Sequence, residues 1–117
     1  MLIRVLVLSL GVVVVGCGGA AAPHERVTST AASVRAAEVG GANRNPQASL
    51  LLKRAQEGLA KAKGLMNDGN NEEADFVLQR AEVDADLALE LAREAAAKAD
   101  AQAAVDQVRA LKQKPTE

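Results

Sequence analysis

Apolar residues recur at alternating spacings of four and three along two long stretches of this chain. The first stretch, residues 46–66, follows Asn45 and opens with Pro46, a capping asparagine before a proline at the first helical position. The second stretch, residues 71–112, follows the turn-forming segment 67–70. Such spacing is typical of helices that pack along one face. The pattern therefore predicts two long helices that a tight turn makes antiparallel.

The two predicted helices share a seam of small and aliphatic residues. Alanine dominates this seam, so the two backbones can approach each other closely. The predicted seam residues are Ala48, Leu52, Ala55, Leu59, Ala62, Met66, Ala74, Leu78, Ala81, Ala85, Ala88 and Ala92. Four apolar residues outside the seam are predicted to receive a partner helix, and these are Leu51, Leu65, Val83 and Leu87. Beyond Gln102 the apolar stripe shifts to another face of the helix.

A shorter helix is predicted over residues 29–39, where Gly40 is suited to follow its last turn. Residues 17–27 are small and polar and predict a flexible tether, and residues 113–117 form a tail. The chain is thus expected to be all-α, with one helical hairpin domain over residues 28–112.

The third predicted helix is about twice as long as the second, which leaves part of it uncovered. Counting back from the turn, Pro46 is expected near Leu91. The first helix is then expected to cover the remainder, in line with the second. That arrangement places the turn far from the N-terminal end and returns the C-terminus towards it. A coiled-coil oligomer formed by the uncovered part is the alternative.

Composition narrows the classes of function. Phe76 is the only aromatic residue and the net charge is −1, so no basic surface with interleaved aromatics indicates a nucleic-acid partner. The second predicted helix is mainly basic, whereas the facing half of the third is mainly acidic, and opposite charges favour their pairing.

The first sixteen residues form a predicted lipoprotein signal peptide, residues 1–16. Arg4 precedes an apolar run over residues 5–15, which is too short to cross a bilayer core that needs about 20 apolar residues. The run ends at Cys17, the only cysteine, so no intramolecular disulfide can form.

Val14, Val15, Gly16 and Cys17 resemble the lipobox of bacterial lipoproteins, with Val15 where serine or alanine is commoner. The resemblance implies that Val14, Val15 and Gly16 are read by the signal peptidase and that Cys17 carries acyl chains such as palmitate. Ordinary cleavage further on, releasing a soluble protein, is the alternative. Gly18 in place of aspartate implies the outer membrane, facing the periplasm, with the inner membrane as the other address.

The mature region resembles the envelope proteins grouped as "domain of unknown function 4398". The residues that carry this resemblance are Arg35, Ala36, Ala37, Asn45, Pro46, Leu52, Ala55, Leu59, Ala62, Gly69, Glu73, Ala74, Asp84, Ala85, Leu87 and Ala88. Members are commonly lipoproteins, and the family implies no established activity. Some carry a peptidoglycan-binding domain, which these residues do not include.

No pattern for catalysis, a metal or a cofactor is found. The spacing of Asp68, Asn70 and Glu72 suggests a calcium loop, but residue 73 is glutamate where that loop needs glycine. Asp84 lies close to the apolar seam, where an unpaired carboxylate would be costly, so we expect it to pair with Arg80 or a lysine of the second helix.

These features predict a lipid-anchored, non-enzymatic scaffold or adaptor with an envelope protein partner or a second copy. The alternative is a structural spacer associated with peptidoglycan, although the chain finishes Pro115-Thr116-Glu117 rather than with an attaching lysine.

Overall fold

The described part of the chain, residues 18–113 of a computed structural model, consists of helices packed side by side. Helix α1 spans His24–Val39, α2 spans Pro46–Asn67 and α3 spans Asn71–Gln113, with a short 3-10 helix at Ala42–Arg44. No strand occurs within these residues. The prediction of an all-α fold is confirmed.

Local capping explains the start and the end of α2. The Asn45 side chain accepts a hydrogen bond from the Ala48 N–H at 3.0 Å, and Pro46 occupies the first turn. At the other end, Gly69 has a φ of +79°, a left-handed conformation that favours glycine. The Asn70 N–H then donates to the Leu65 carbonyl at 2.8 Å, which closes the turn into α3.

Helices α2 and α3 run antiparallel, as predicted, and lie close together at Gly58 and Ala81. A Cβ atom placed on Gly58 would lie 2.9 Å from the Ala81 Cβ. Nearer the turn, the Lys61 ammonium lies 3.6 Å from a Glu73 carboxylate oxygen across the same pair of helices. Pro46 lies in a groove with Ala92, which agrees with the expected register.

Helix α1 begins at His24, so the predicted start at residue 29 is wrong, and residues 24–27 of the predicted tether are helical. Residues 18–23 contain no helix or strand, and residue 17 lies outside the described part of the chain. Contacts with α3 stabilise the additional turn. The Arg26 side chain donates a hydrogen bond to Asp75 and lies 3.7 Å from a Glu82 oxygen. These partners lie far along the chain, so local sequence at residues 24–28 does not reveal the helix.

The predicted position of α1 is also wrong, because it packs beside the first half of α3 rather than the second. The buried Thr30 hydroxyl donates to the Leu78 carbonyl at 3.4 Å, and Gly40 lies against Leu89. The two helices therefore run parallel. Gly41, with a φ of +87°, turns the chain back so that α1 and α2 lie side by side instead of end to end.

The N-terminal end of the described chain lies at the turn between α2 and α3. The Asn71 side-chain amide donates a hydrogen bond to the Ala20 carbonyl at 2.8 Å. The expectation that this turn lies far from the N-terminal end is therefore wrong, because a parallel α1 brings its own start to the start of α3. The end of α3 lies away from both.

The core is thin and is built mainly from alanine. Among the predicted seam residues, Leu59 and Met66 are half-buried and all the others are buried. Helix α1 adds Thr30, Val34 and Ala37, whereas Val39 is 80% exposed. Every residue from 96 to 113 is exposed, so α3 continues beyond the bundle as a single helix, the α3 extension.

We expect the close approach at Gly58 to appear in the stability of two matched variants. Gly64→Ala should raise the free energy of unfolding by about 1 kcal/mol, because Gly64 has open space around it and alanine favours helix. Gly58→Ala gains the same propensity, but overpacking against Ala81 costs about 1–3 kcal/mol and should cancel or outweigh it. Urea unfolding followed by circular dichroism measures both. Equal stabilisation by the two variants would contradict the packing described here.

Candidate interaction surfaces

The residues predicted to carry the lipid lie outside the described part of the chain. Val14, Val15, Gly16 and Cys17 precede Gly18, the first described residue. Within residues 18–113, no helix is both long enough and apolar enough to cross a membrane.

The α3 extension exposes one apolar stripe along its side. Val105, Val108 and Leu111 are 45%, 51% and 70% exposed, which is high for side chains of this kind. They follow one another at a spacing of three, so they lie on neighbouring parts of the helix surface. Val105 and Val108 line an open groove of about 400 Å³ together with Ala104, Arg109 and Lys112.

The face of α3 that packs in the bundle continues into the extension as alanine. Ala95, Ala96 and Ala99 line a groove of about 400 Å³ together with Gly41 and Pro46, at the turn between α1 and α2. The valine stripe lies on a different face, as the predicted shift beyond Gln102 requires. The extension therefore offers two different faces at the end of the molecule farthest from Ala20.

Charged side chains border the start of the extension. The Lys98 ammonium lies 2.6 Å from a Glu94 oxygen, one helical turn away. The hydrogen bond from Lys98, together with its positive charge, lowers the pKa of the Glu94 carboxyl below its ordinary value. This pair is exposed and strengthens the helix locally without forming a site.

A second surface is the open groove between α2 and α3 on the side away from α1. It has a volume of about 390 Å³. Its floor is formed by Gly58, Ala81 and Val77. Charged side chains form its two walls, Arg54, Glu57 and Lys61 from α2 and Arg80 and Asp84 from α3.

The predicted ion pair of Asp84 does not form. No cation of the described residues lies within 4.0 Å of its carboxylate, although Arg54 and Arg80 line the same groove. Asp84 is half-buried rather than buried, so water can solvate it and the expected desolvation penalty is avoided. Within the described chain, Arg54 and Arg80 likewise lack an ion-pair partner at that distance.

The four residues predicted to receive a partner helix do not form one surface. Leu51 and Leu65 are half-buried, Leu51 against the core around Leu52 and Leu65 against the core around Leu78. Val83 and Leu87 are 65% and 47% exposed. Sequence periodicity alone could not separate these pairs, because the distinction depends on where α1 packs.

The described residues contain no cluster of three or more histidine, cysteine, aspartate or glutamate side chains placed to hold a metal ion. Asp68 and Glu72, which suggested a calcium loop, are both exposed, Asp68 in the turn that joins α2 to α3 and Glu72 in the first turn of α3. His24 is the first residue of α1 and is exposed.

Comparison with known families gives one match. The family model described as "Domain of unknown function (DUF4398)" matches residues 25–104, from the first turn of α1 into the α3 extension. No curated protein and no solved structure matches the chain. The match covers the segment that carries the sequence resemblance, including Asn45, Pro46 and the turn at Gly69.

Proposed function

We propose that this chain, which belongs to the family described as "Domain of unknown function (DUF4398)", is a lipid-anchored protein of the cell envelope. It acts as a non-catalytic helical scaffold or adaptor that presents the α3 extension to a protein partner. One observation carries this proposal: the N-terminal end of the described chain and the exposed extension lie at opposite ends of the bundle.

The anchor in this proposal is the acylated Cys17 at the cell envelope, on the periplasmic face of the outer membrane. Each buried CH₂ contributes about 0.8 kcal/mol, so two or three acyl chains hold a protein far more firmly than one. Cys17 precedes Ala20 by three residues, which span at most about 11 Å. Because the Ala20 carbonyl accepts a hydrogen bond from the Asn71 side chain, such an anchor would hold the turn between α2 and α3 close to the membrane.

The α3 helix would then extend away from the membrane. Its residues Asn71–Gln113 span about 65 Å at about 1.5 Å per residue. The part beyond the bundle presents Val105, Val108 and Leu111 to solvent. A helical face of this kind is suited to receive an amphipathic helix of another protein, a common mode of recognition.

A spacer associated with peptidoglycan is the second candidate, because the exposed Lys112 lies near the far end of the same extension. The side-chain amine of a lysine at this distance from the membrane anchor is the group that could be joined to the cell wall. Muropeptide analysis distinguishes the two functions, since a covalent spacer leaves a peptide of this chain on the purified wall and an adaptor does not.

The anchor proposal makes a direct prediction for Cys17→Ala. The variant should lose all incorporation of labelled palmitate in a lipoprotein-processing bacterium, because the thiol is the acyl acceptor. Its helical content, measured on the purified protein, should not change. Gly18→Ala is the control and should be labelled like the natural chain. Undiminished labelling of the alanine variant at position 17 would refute lipidation at that residue.

The adaptor proposal makes a separate prediction for the valine stripe. The double substitution Val105→Asp and Val108→Asp should abolish crosslinking of the full chain to its envelope partner, since a carboxylate in an apolar contact is strongly unfavourable. The matched control, Ala103→Asp and Ala110→Asp, places the same charges on the opposite side of the extension, because residues seven apart share one helical face. It should preserve the crosslink. If both double variants crosslink like the natural chain, the stripe is not the contact surface.

A further inference from the structure

The groove between α2 and α3 carries charges whose arrangement is self-complementary. Its α2 wall presents Arg54, then Glu57 and then Lys61, and its α3 wall presents Asp84 and then Arg80. Lys61 forms its own ion pair with Glu73 of α3, 3.6 Å away. Along the groove in one direction, the first two charges of the α2 wall are positive and then negative, whereas the charges of the α3 wall are negative and then positive. Arg54, Arg80 and Asp84 form no ion pair within residues 18–113, and Glu57 has only Lys53, at 3.9 Å.

The register of the two helices sets which charges share a level. Gly58 lies level with Ala81, where the helices touch. At about 1.5 Å per residue in opposite directions, Arg54 is then within about 2 Å of the level of Asp84. By the same count, Glu57 is within about 3 Å of the level of Arg80. Arg54 and Asp84 thus form one pair of opposite charges at a common level, and Glu57 and Arg80 form a second.

We infer that the occupant of this groove is a second copy of the same chain, packed face to face about a twofold axis parallel to the helices. This operation lays α2 of each copy over α3 of the other at the same level. Arg54 of one copy then meets Asp84 of its twin, and Glu57 meets Arg80. Each contact occurs twice, as an isologous interface requires.

Apolar contacts extend the interface above these charges. Leu50 continues the stripe of Arg54 and Glu57 at a spacing of four, and Leu87 continues that of Arg80 and Asp84 at a spacing of three. Leu50 and Leu87 are 54% and 47% exposed. Leu50 lies within about 3 Å of the level of Leu87, so the same operation brings these two leucines together. The small floor residues Gly58 and Ala81 allow the two bundles to approach closely.

Charge selects the parallel arrangement over the antiparallel one. A twofold axis perpendicular to the helices would lay α2 on α2 and α3 on α3. Like charges would then face one another, because α2 carries Lys53, Arg54, Lys61 and Lys63 against Glu57 alone. The parallel arrangement instead pairs this basic helix with the acidic half of α3. It also places both N-terminal ends on the same side, as two copies anchored in one membrane require.

A charge-swap experiment tests this interface in the full chain. Two copies with different C-terminal epitope tags are co-expressed in a lipoprotein-processing bacterium and solubilised in mild detergent. Capture of one tag is followed by quantification of the other. Co-capture should fall about tenfold or more when both copies carry Arg54→Glu, or when both carry Asp84→Arg, because like charges then face each other twice.

The decisive arm mixes the two variants. A copy with Arg54→Glu and a copy with Asp84→Arg restore both opposite-charge contacts, so co-capture should return to within about twofold of the natural pair. This restoration also shows that both variants fold. Arg35→Glu makes the same change of charge on the exposed side of α1 and should leave co-capture unchanged.

Three outcomes would overturn the inference. These are absence of co-capture for the natural pair, natural co-capture by either single variant with itself, and failure of the mixed pair to recover. The interface lies wholly in α2 and α3, so the same pattern is expected for Cys17→Ala chains. If the natural chain incorporates no labelled lipid while the charge-swap pattern persists, the anchor is contradicted and the dimer is not.

Discussion

The close packing of α2 against α3 is the constraint on which the rest of this molecule depends. A seam made mainly of alanines, together with Gly58, brings the two backbones together, and a Cβ atom at Gly58 would lie only 2.9 Å from the Ala81 Cβ. Thin side chains bury little apolar area per residue, so the fold depends on length and contact along the whole seam rather than on a thick core. Beside this contact lies an open groove whose floor is formed by the same small side chains and whose walls are long charged side chains. The close packing and the candidate dimer surface thus both follow from the small side chains between α2 and α3.

The position of α1 then decides how the molecule is oriented. The turn at Gly40 and Gly41 returns the chain, so α1 runs parallel to α3 and its first residues reach the α2–α3 turn. The α3 extension consequently points away from the N-terminal end. A lipid on Cys17 and a partner on the valine stripe would therefore act at opposite ends of one rigid helix. That separation is what a scaffold needs, and it requires no catalytic group.

Short sequence patterns predicted the parts of the fold that depend on residues close together in the chain. Asn45 and Pro46 mark the start of α2 because a cap and a fixed φ act within one turn, and the four-and-three spacing of alanines marks its pairing with α3. The start of α1 could not be predicted in this way, because it is stabilised by Arg26 reaching Asp75 on α3. The sequence likewise did not reveal which part of α3 is covered by α1. A Gly-Gly pair is compatible both with two helices that continue end to end and with a reversal of the chain. Asp84 can remain without an ion pair among the described residues because it is partly exposed, and the spacing of residues in the sequence does not predict that exposure.

The central claim is that the α2–α3 turn faces the membrane while the α3 extension projects from it. A depth measurement tests this directly. Acylated protein carrying a single fluorophore, on Asp68→Cys in the turn or on Gln113→Cys at the far end, is reconstituted into vesicles with quenchers in the lipid headgroups. Strong quenching at position 68 and none at position 113 is the predicted result, since about 65 Å of helix separates the two regions. Stronger quenching at position 113 than at position 68 would contradict the account.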